Sequence, residues 1–491
     1  MRHSTPAERR IHETTSLCAT CKRGVPAEVV ARGGEVWMVK RCPDHGAQDV
    51  RLSDDASWYE RARAVPAPPS PPWGALRPVT LGCPFDCGAC EAHAQKARLP
   101  VVTITSACNL ECPICFVHNN NVTPYHMELD EVSRVIGHLA GGGEIDLINL
   151  TGGEPTLHPR LLDVLDRCRS EGIHRVSICT NGIRLAQDEA LVVALAAAGA
   201  RVALSFDSFE EEADHRLQGA HLVDLKLRCL DLLERHDVDT TIIPVMTRGV
   251  NDHEIGRILR HAIGRRNVRH VEVHTITYTG QGGASFDRSG RISLHEVVGR
   301  IVAQTGGLLR EDDFVASPCA HPLCYQIAYL LLDPEGGEPV PFTRFVDKET
   351  LRACLSEHLY LEPTPRLEAA MRDAIDRLWA EEDPESERTL RILKGLIARM
   401  FPADRPISRE EALRISERAS KAVYVHSHMD EETLDTERLA QCCDMNCYAD
   451  GAQIPVCASN ILYRETEPRF TPRPVVRPPP SGGVRYLPVV R

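Results

Sequence analysis

Residues 101–116 read VVTITSACNLECPICF. A short, mostly β-branched run, Val101 to Ile104, leads into Cys108, Cys112 and Cys115 at C-x3-C-x2-C spacing. Cysteine thiolates hold iron–sulfur clusters, normally four to a cubane. Three ligands on one loop leave the fourth iron open, and an open metal position is where a small molecule can bind, as at catalytic zinc. Taken alone, the spacing suits a zinc knuckle or a few buried thiols equally well.

The next apolar run separates these readings. Ile145 to Leu150 ends in Thr151-Gly152-Gly153-Glu154-Pro155. Paired glycines let backbone approach a ligand closely, and the Glu154 carboxylate can accept hydrogen bonds from an ammonium. A three-cysteine loop after one predicted strand and a GGEP motif after the next resemble the radical SAM superfamily. The resemblance implies a [4Fe–4S] cluster on Cys108, Cys112 and Cys115, its open iron chelated by S-adenosylmethionine (SAM). It further implies reductive cleavage of SAM to methionine and a hydrogen-abstracting 5′-deoxyadenosyl radical, with electrons from an external reductant such as flavodoxin or ferredoxin.

Between residues 98 and 310, strand-like and helix-like segments alternate, the pattern of parallel βα units. The predicted strands are PVVTITS, EIDLINL, HRVSICT, RVALSFD, DTTIIPVMT and RHVEVHTITY. Between them Val132, Val135, Ile136 and Leu139 mark one apolar helix face, and Leu161, Leu162, Leu165 and Cys168 another. Cys168, Cys179 and Cys229 read as buried thiols. The expected fold class is α/β: six units match the partial (β/α)6, TIM-like barrel of radical SAM enzymes, with a small N-terminal metal-binding module and a C-terminal iron–sulfur region. Ligands in such barrels sit at the carboxyl ends of the strands. By resemblance, Gly152, Gly153, Glu154, Thr180, Asn181, Ser205 and Asp207 are the SAM candidates; the last four are equally ordinary turn or cap residues. Gly280 to Gly283 (GQGG) is either a close-approach segment or a plain loop.

Upstream, residues 15–64 carry Cys18, Cys21, Cys42 and His45 around a hairpin signature at Gly33-Gly34. That set suits one tetrahedral metal, either zinc in a ribbon or a rubredoxin-like iron. Residues 65–97 begin with a proline-rich linker and hold a second triplet, Cys83, Cys87 and Cys90, without a following GGEP unit. This triplet reads as part of an auxiliary cluster, with His93 as either its fourth ligand or a surface histidine. Downstream, residues 311–464 contain Cys319, Cys324, Cys442, Cys443, Cys447 and Cys457. A charged helical stretch, 363–421, carries periodic apolar residues such as Leu390, Ile392, Leu393, Leu396 and Ile397, and reads as a helical cover or substrate-cavity wall. Cys83, Cys87, Cys90, Cys319, Cys324, Cys442, Cys443 and Cys457 would supply two four-cysteine auxiliary [4Fe–4S] clusters. Cys447 is then surplus, and Cys354 stands apart. Which C-terminal cysteine completes the Cys83 triplet stays open. His426, His428 and Asp430 are candidates for proton transfer, or for hydrogen bonding to a cluster or backbone. The last stretch, 465–491, rich in proline and arginine, reads as a disordered tail.

A chain of 491 residues has room for about three domains. Its net charge is −12, without a basic stripe, and only 5% of its residues are aromatic; both speak against nucleic-acid binding. No apolar stretch approaches the about 20 residues of a membrane span. The polar beginning lacks a signal-peptide core, so the expected location is the cytoplasm, where nineteen cysteines read as ligands rather than disulfides. The layout is similar to the radical SAM subgroup that contains archaeal tetraether lipid synthase and the archaeal methyltransferase of 7,8-dihydro-6-hydroxymethylpterin. The shared pieces are C-x2-C…CP-x-H, GCPFDCG-x-C, SPC-x-HP-x-C and VHSHMD…CC…PVC, together spanning most of residues 15–463. Departures are the HSHMD stretch, His426 to Asp430, and the extra Cys447. The subgroup implies chemistry at unactivated carbon: C-methylation or C-alkylation with a folate-derived one-carbon donor, or radical coupling of lipid chains. The substrate classes are a small molecule, a carrier-bound group or a lipid. The lack of a basic amphipathic helix favours the first two. A multi-cluster electron-transfer protein without SAM chemistry is the rival class, and the GGEP motif speaks against it.

Overall fold

In the computed structural model, residues 8–72, 78–88, 90–143, 145, 147–356, 360–381, 383–402 and 404–470 are described. The first module is a four-stranded antiparallel sheet, β1 (Arg9–Leu17), β2 (Gly24–Arg32), β3 (Glu35–Cys42) and β4 (Gly46–Ser53), in sequential order. Gly33 and Gly34, both at positive φ, turn the β2–β3 hairpin. The sheet begins at Arg9, earlier than the boundary read from its cysteines.

All six predicted barrel strands form. They are β5 (Leu99–Thr105), β6 (Leu147–Gly152), β7 (Arg175–Thr180), β8 (Arg201–Ser205), the pair β9 (Thr240–Ile243) and β10 (Val245–Met246), and β11 (Val268–Thr275). Pro244 splits the fifth, since it has no N–H for the ladder. Neighbours β5-β6-β7-β8-β9-β11 pair in parallel. The helix Leu129–Ala140 buries Val132, Val135, Ile136 and Leu139, the face the periodicity marks.

The C-terminal region does more than follow the barrel. It adds β12 (Val315–Ala316), β13 (Tyr325–Leu331), β14 (Val340–Pro341), β15 (Ser420–His426), β16 (Asp444–Cys447) and β17 (Gln453–Pro455) to the same sheet. β15 joins β11 and β16 joins β5, both in parallel, so the six-stranded wall is extended at both edges. The edges meet through side chains. Tyr325 donates a hydrogen bond to Asp444 and stacks on His426 at 3.8 Å, and His426 Nε2 lies 3.5 Å from Asp444 Oδ2.

Of the two readings of the helical stretch, the structure fits the cover. Pro365–Trp379, Pro384–Met400 and Arg409–Ala419 bury Leu367, Met371, Leu393 and Leu396 in one core with Tyr329 and Tyr424. This layer is fixed to the amino ends of the barrel strands: Arg175 pairs with Glu362 at 2.7 Å and Arg201 with Glu417 at 2.8 Å. It closes the end of the barrel opposite the ligand-binding end. Of the described residues lining the central cavity, none belongs to 363–421, so these helices are not a substrate-cavity wall. The chain also stays packed past the boundary at 465: Phe470 is 1% exposed. The rest of the tail, 471–491, lies outside the described residues, as do 73–77 of the linker. Among the described residues, no helix is long and apolar enough to cross a membrane.

Candidate active site and metal centres

β5 feeds directly into the first cysteine loop. Cys108, Cys112 and Cys115 line a cavity of about 260 Å³ at the carboxyl ends of the strands. Cys112 Sγ donates to Gln218 Oε1 at 3.2 Å, and Asn119 Nδ2 donates to Cys115 Sγ at 3.8 Å. Burial pushes the Cys108 thiol up to about 11 and raises Cys115. A thiol that resists ionisation alone becomes a good ligand once a metal supplies the positive charge.

The GGEP motif braces this loop, and Gly152, Gly153 and Glu154 line the same cavity. Gly153 N donates to Thr105 O at 2.9 Å and Glu154 N to Ala107 O at 2.7 Å. Gly152 sits at φ +144°, and a Cβ on it would collide with Thr105 O; one on Gly153 would collide with Ala107 O. The glycines therefore permit backbone-on-backbone contact with the cysteine loop. The GQGG segment clamps it from the other side: Gly282 N and Gly283 N donate to Cys115 O at 3.0 and 2.9 Å, and Gln281 N donates to Val117 O at 3.0 Å.

The Glu154 side chain is held by four hydrogen bonds, three on Oε1 and one on Oε2. It accepts from Thr156 N at 3.0 Å, Thr156 Oγ1 at 2.6 Å, Thr180 Oγ1 at 2.8 Å and Asn181 N at 2.8 Å. Burial raises its carboxyl above the ordinary value, and these donors oppose the rise. Thr180 and Asn181 thus brace Glu154, and Asn181 Nδ2 also holds Asn109 Oδ1 at 2.7 Å. Asp207 accepts from Val245 N at 2.8 Å and from Gln218, with Lys226 Nζ 3.8 Å away. Ser205 lines the cavity.

Unpartnered atoms lie elsewhere on the same cavity. Arg464 Nη2, Asn460 Oδ1 and Asn119 Oδ1 are buried without a hydrogen-bond partner, and all three side chains line it. SAM carries a carboxylate, an ammonium and ribose hydroxyls, so a free guanidinium nitrogen and two free amide oxygens beside the three thiols fit a cluster with SAM bound. The asparagine run after Cys115 could have flagged Asn119. Asn460 and Arg464 are more than 340 residues from the motif and carry no local signal.

Part of the cavity lining is imidazole-rich, and the His428 ring packs 5.3 Å from that of Phe116. One nitrogen each from His274, His426 and His428 lies within 4.8 Å of the others. Glu272 stands behind them, 3.1 Å from His274 Nε2 and 3.5 Å from His426 Nδ1. Burial alone would raise the Glu272 carboxyl, but the two imidazoles outweigh it and hold it well below the usual carboxylate range. Burial keeps His426 and His428 below their ordinary 6.5. Asp430 is not part of this wall. Its oxygens accept from Thr433 N at 2.9 Å and Tyr278 N at 3.2 Å, and Arg291 lies 3.1 Å away. Cys179 faces the cavity, donating to Asn149 Oδ1 at 3.1 Å, whereas Cys168 and Cys229 are fully buried.

In the first module, the donor atoms of Cys18, Cys21, Cys42 and His45 all lie within 4.8 Å of one another. His45 Nδ1 is 3.6 Å from Cys18 Sγ and 3.5 Å from Cys42 Sγ, spacings that suit a tetrahedral ion with bonds of about 2.0–2.3 Å. Burial works against the Cys18 thiolate, yet the N–H groups of Cys21 and Thr20 and the Gln48 amide bring its pKa down to about 6.

The remaining cysteines fall into two groups. Cys83, Cys87 and Cys90 line a small cavity together with His93. His93 is 8% exposed, so it is not a surface histidine. Cys324, Cys442 and Cys457 interact electrostatically with one another, and Cys443 with Cys319 and Cys442. Arg438 Nη2 donates to Cys324 Sγ at 3.5 Å. Cys447 belongs to the barrel core, consistent with being surplus as a ligand.

A barrel with a three-cysteine loop after its first strand and a glycine-braced loop after its second defines a class, and residues 102–262 match the profile described as the radical SAM superfamily. That stretch is a radical SAM domain, a kind of domain that binds a [4Fe–4S] cluster with SAM. Residues 10–54 match the profile described as the HMPTM N-terminal zinc ribbon domain. Across its length the chain is similar to the 7,8-dihydro-6-hydroxymethylpterin dimethyltransferase of Methanocaldococcus jannaschii, 26% identical over 94% of this chain and 95% of that protein. It is also similar to the GTP 3′,8-cyclase of Chlorobaculum tepidum, 32% identical over 31% of this chain and 46% of that protein. Among solved structures, Streptococcus suis SuiB bound to S-adenosylmethionine aligns with a TM-score of 0.34 and 18% identity, covering 43% of this chain and 45% of that one.

Proposed function

We propose that this chain is a radical SAM C-methyltransferase, acting on a small, polar, pterin-like or carrier-bound substrate with a folate-derived one-carbon donor. When bound, the [4Fe–4S] cluster supplies the electron that cleaves SAM to methionine and a 5′-deoxyadenosyl radical. The observation that carries the substrate reading is the polar stretch of the cavity lining. Glu272, His274, His426, His428, Asp444 and Asn446 all belong to it. Polar groups gathered in this density suit a heterocycle with donors and acceptors better than an alkyl chain. The near full-length likeness to a pterin dimethyltransferase supports the same reading, and lipid-chain coupling fits this wall poorly.

The chain's own residues divide the work. Asn119, Asn460 and Arg464 orient the amino-acid and ribose ends of SAM. Glu272 fixes the orientation of His274 and His426, whose ring nitrogens face the substrate space. The auxiliary cysteines hold two further [4Fe–4S] clusters, and the ribbon holds zinc or iron. A flavodoxin or ferredoxin of the cytoplasm is the proposed electron source.

The test is anaerobic turnover of reconstituted protein with dithionite, SAM, methylenetetrahydrofolate and 7,8-dihydro-6-hydroxymethylpterin. A methylated pterin together with 5′-deoxyadenosine is expected. 5′-Deoxyadenosine formed without any pterin product would remove the substrate class. Its absence under every condition would remove the enzyme reading.

A further inference from the structure

The second cysteine triplet has three thiols, and a cubane takes four protein ligands when fully held. We infer that the fourth ligand of the Cys83–Cys87–Cys90 cluster is the Nδ1 of His93, so that this auxiliary cluster is histidine-ligated rather than all-cysteine. The inference rests on the reading that this triplet binds a cluster at all.

Placement comes first. Among the described residues lining the triplet's cavity, His93 is the side chain besides the cysteines that offers a soft nitrogen or sulfur donor. Asp86 also lines it, but its Oδ2 is taken by Thr80 N at 2.8 Å, Leu81 N at 2.6 Å and Gly82 N at 2.7 Å. These bonds fold the GCPFDCG loop around the thiols and leave that oxygen saturated.

The orientation of the ring follows from its other nitrogen. His93 Nε2 lies 2.8 Å from Cys442 O. A carbonyl oxygen can only accept, so Nε2 carries the proton and Nδ1 carries the lone pair. Metal-ligating histidines characteristically donate their second N–H to a carbonyl or carboxylate in this way. The backbone is pinned as well: His93 N donates to Cys90 O at 3.1 Å and Ala94 N to Ala440 O at 2.7 Å. The chain uses the same device at its amino end, where Cys42-x2-His45 places an imidazole Nδ1 among thiols; Cys90-x2-His93 repeats the spacing.

Cys457 packs in one apolar cluster with Cys87 and Cys83, but its thiol has other polar partners. Cys457 Sγ accepts from Met429 N at 3.3 Å and faces His428 Nδ1 at 3.7 Å. Its cysteine neighbour by electrostatics is Cys324, and Cys442 sits with Cys457 and Cys324. The five cysteines of that group then supply a four-thiolate cluster of their own, and the triplet draws on none of them. Replacing thiolate by imidazole removes negative charge and raises the potential, as histidine does in Rieske centres, which would make this cluster the easier of the two to reduce.

The test uses the full chain, reconstituted anaerobically with iron-57 and sulfide, and labelled with nitrogen-15 histidine. Wild type should show three cubanes by Mössbauer spectroscopy, and one reduced auxiliary cluster should carry a directly coordinated histidine nitrogen in pulsed EPR. That coupling should vanish in His93→Ala. His93→Cys should keep the full iron content, lose the nitrogen coupling and shift one auxiliary potential downward. The inference is overturned by a nitrogen coupling that persists in His93→Ala, by a wild-type protein with all clusters and no such coupling, or by Cys457→Ala removing the same cluster as Cys83→Ala. Absence of any cluster that Cys83→Ala can remove would instead defeat the parent reading. 5′-Deoxyadenosine formation in the same samples reports separately on the SAM site.

Discussion

The Nδ1 of His428 lies 3.7 Å from the Sγ of Cys457. His428 lines the central cavity, and Cys457 belongs to the five-cysteine group behind it. The imidazole therefore spans from the proposed substrate wall to the cysteines proposed to hold an auxiliary cluster, with the His426 ring tilted against it at 4.0 Å.

His428→Gln keeps a polar side chain and removes this bridge. We expect unchanged iron content and near-normal SAM cleavage, with methylated product falling about tenfold or more relative to 5′-deoxyadenosine. One hydrogen bond to a charged group contributes about 1.5–3 kcal/mol, and about 1.4 kcal/mol is a factor of ten. Equal losses of product and 5′-deoxyadenosine would move His428 to the SAM site.

The two triplets should separate by function although their spacing is identical. Cys108→Ala is expected to abolish SAM cleavage. Cys83→Ala should cost about four irons of one auxiliary cluster and leave cleavage running without product. Iron analysis with 5′-deoxyadenosine assays checks both. Retained turnover in Cys108→Ala would overturn the assignment of the first triplet.

What the sequence disclosed was local. The six barrel strands, the Val132–Leu139 face and the motif order all depend on neighbours within a few residues, and periodicity reports on those. The errors involve contacts between distant segments. The seventh and eighth parallel strands, β15 and β16, come from residues 420–447 and pair with strands far upstream; β16 is only four residues, DMNC, with no alternation to read. The sequence left the helical stretch as either a cover or a cavity wall, because its location is set by pairs such as Arg175 with Glu362, 187 residues apart. The GGEP motif marked the right place, but its glycines and glutamate hold the cysteine loop, and only the hydrogen-bond partners show that.

Arg464 tests the reassignment of the SAM contacts. Its Nε donates to His118 O at 2.9 Å, and its Nη2 has no partner. Burying that charge is unfavourable unless an anion completes it. Arg464→Gln is expected to weaken SAM binding about 10- to 100-fold, equivalent to about 1.4–2.8 kcal/mol, with all clusters retained. Equilibrium binding of SAM to the oxidised protein measures this directly. Thr180→Ala, by contrast, should act through Glu154 and show up as cluster-loop instability rather than as a pure change in SAM affinity.

The zinc-ribbon module is held to the barrel partly by Asp54, whose Oδ1 accepts from Ser293 Oγ at 2.7 Å and lies 3.0 Å from His295 Nδ1. Burial opposes both charges, but the pairing prevails: His295 is raised above 6.5 and Asp54 lowered below 3.8. A raised histidine stabilises fully below its unfolded value and loses that contribution as pH rises through its folded value. A lowered carboxylate stabilises above its unfolded value and loses that contribution as pH falls through its folded value. The docking contact is therefore strongest between about pH 4 and 6.5 and weakens on the alkaline side. The difference in Tm between wild type and His295→Gln should be largest near about pH 5.5 and shrink toward about pH 8.5. A difference that grows with pH would mean that the imidazole is neutral in the folded protein and that Ser293 alone holds Asp54.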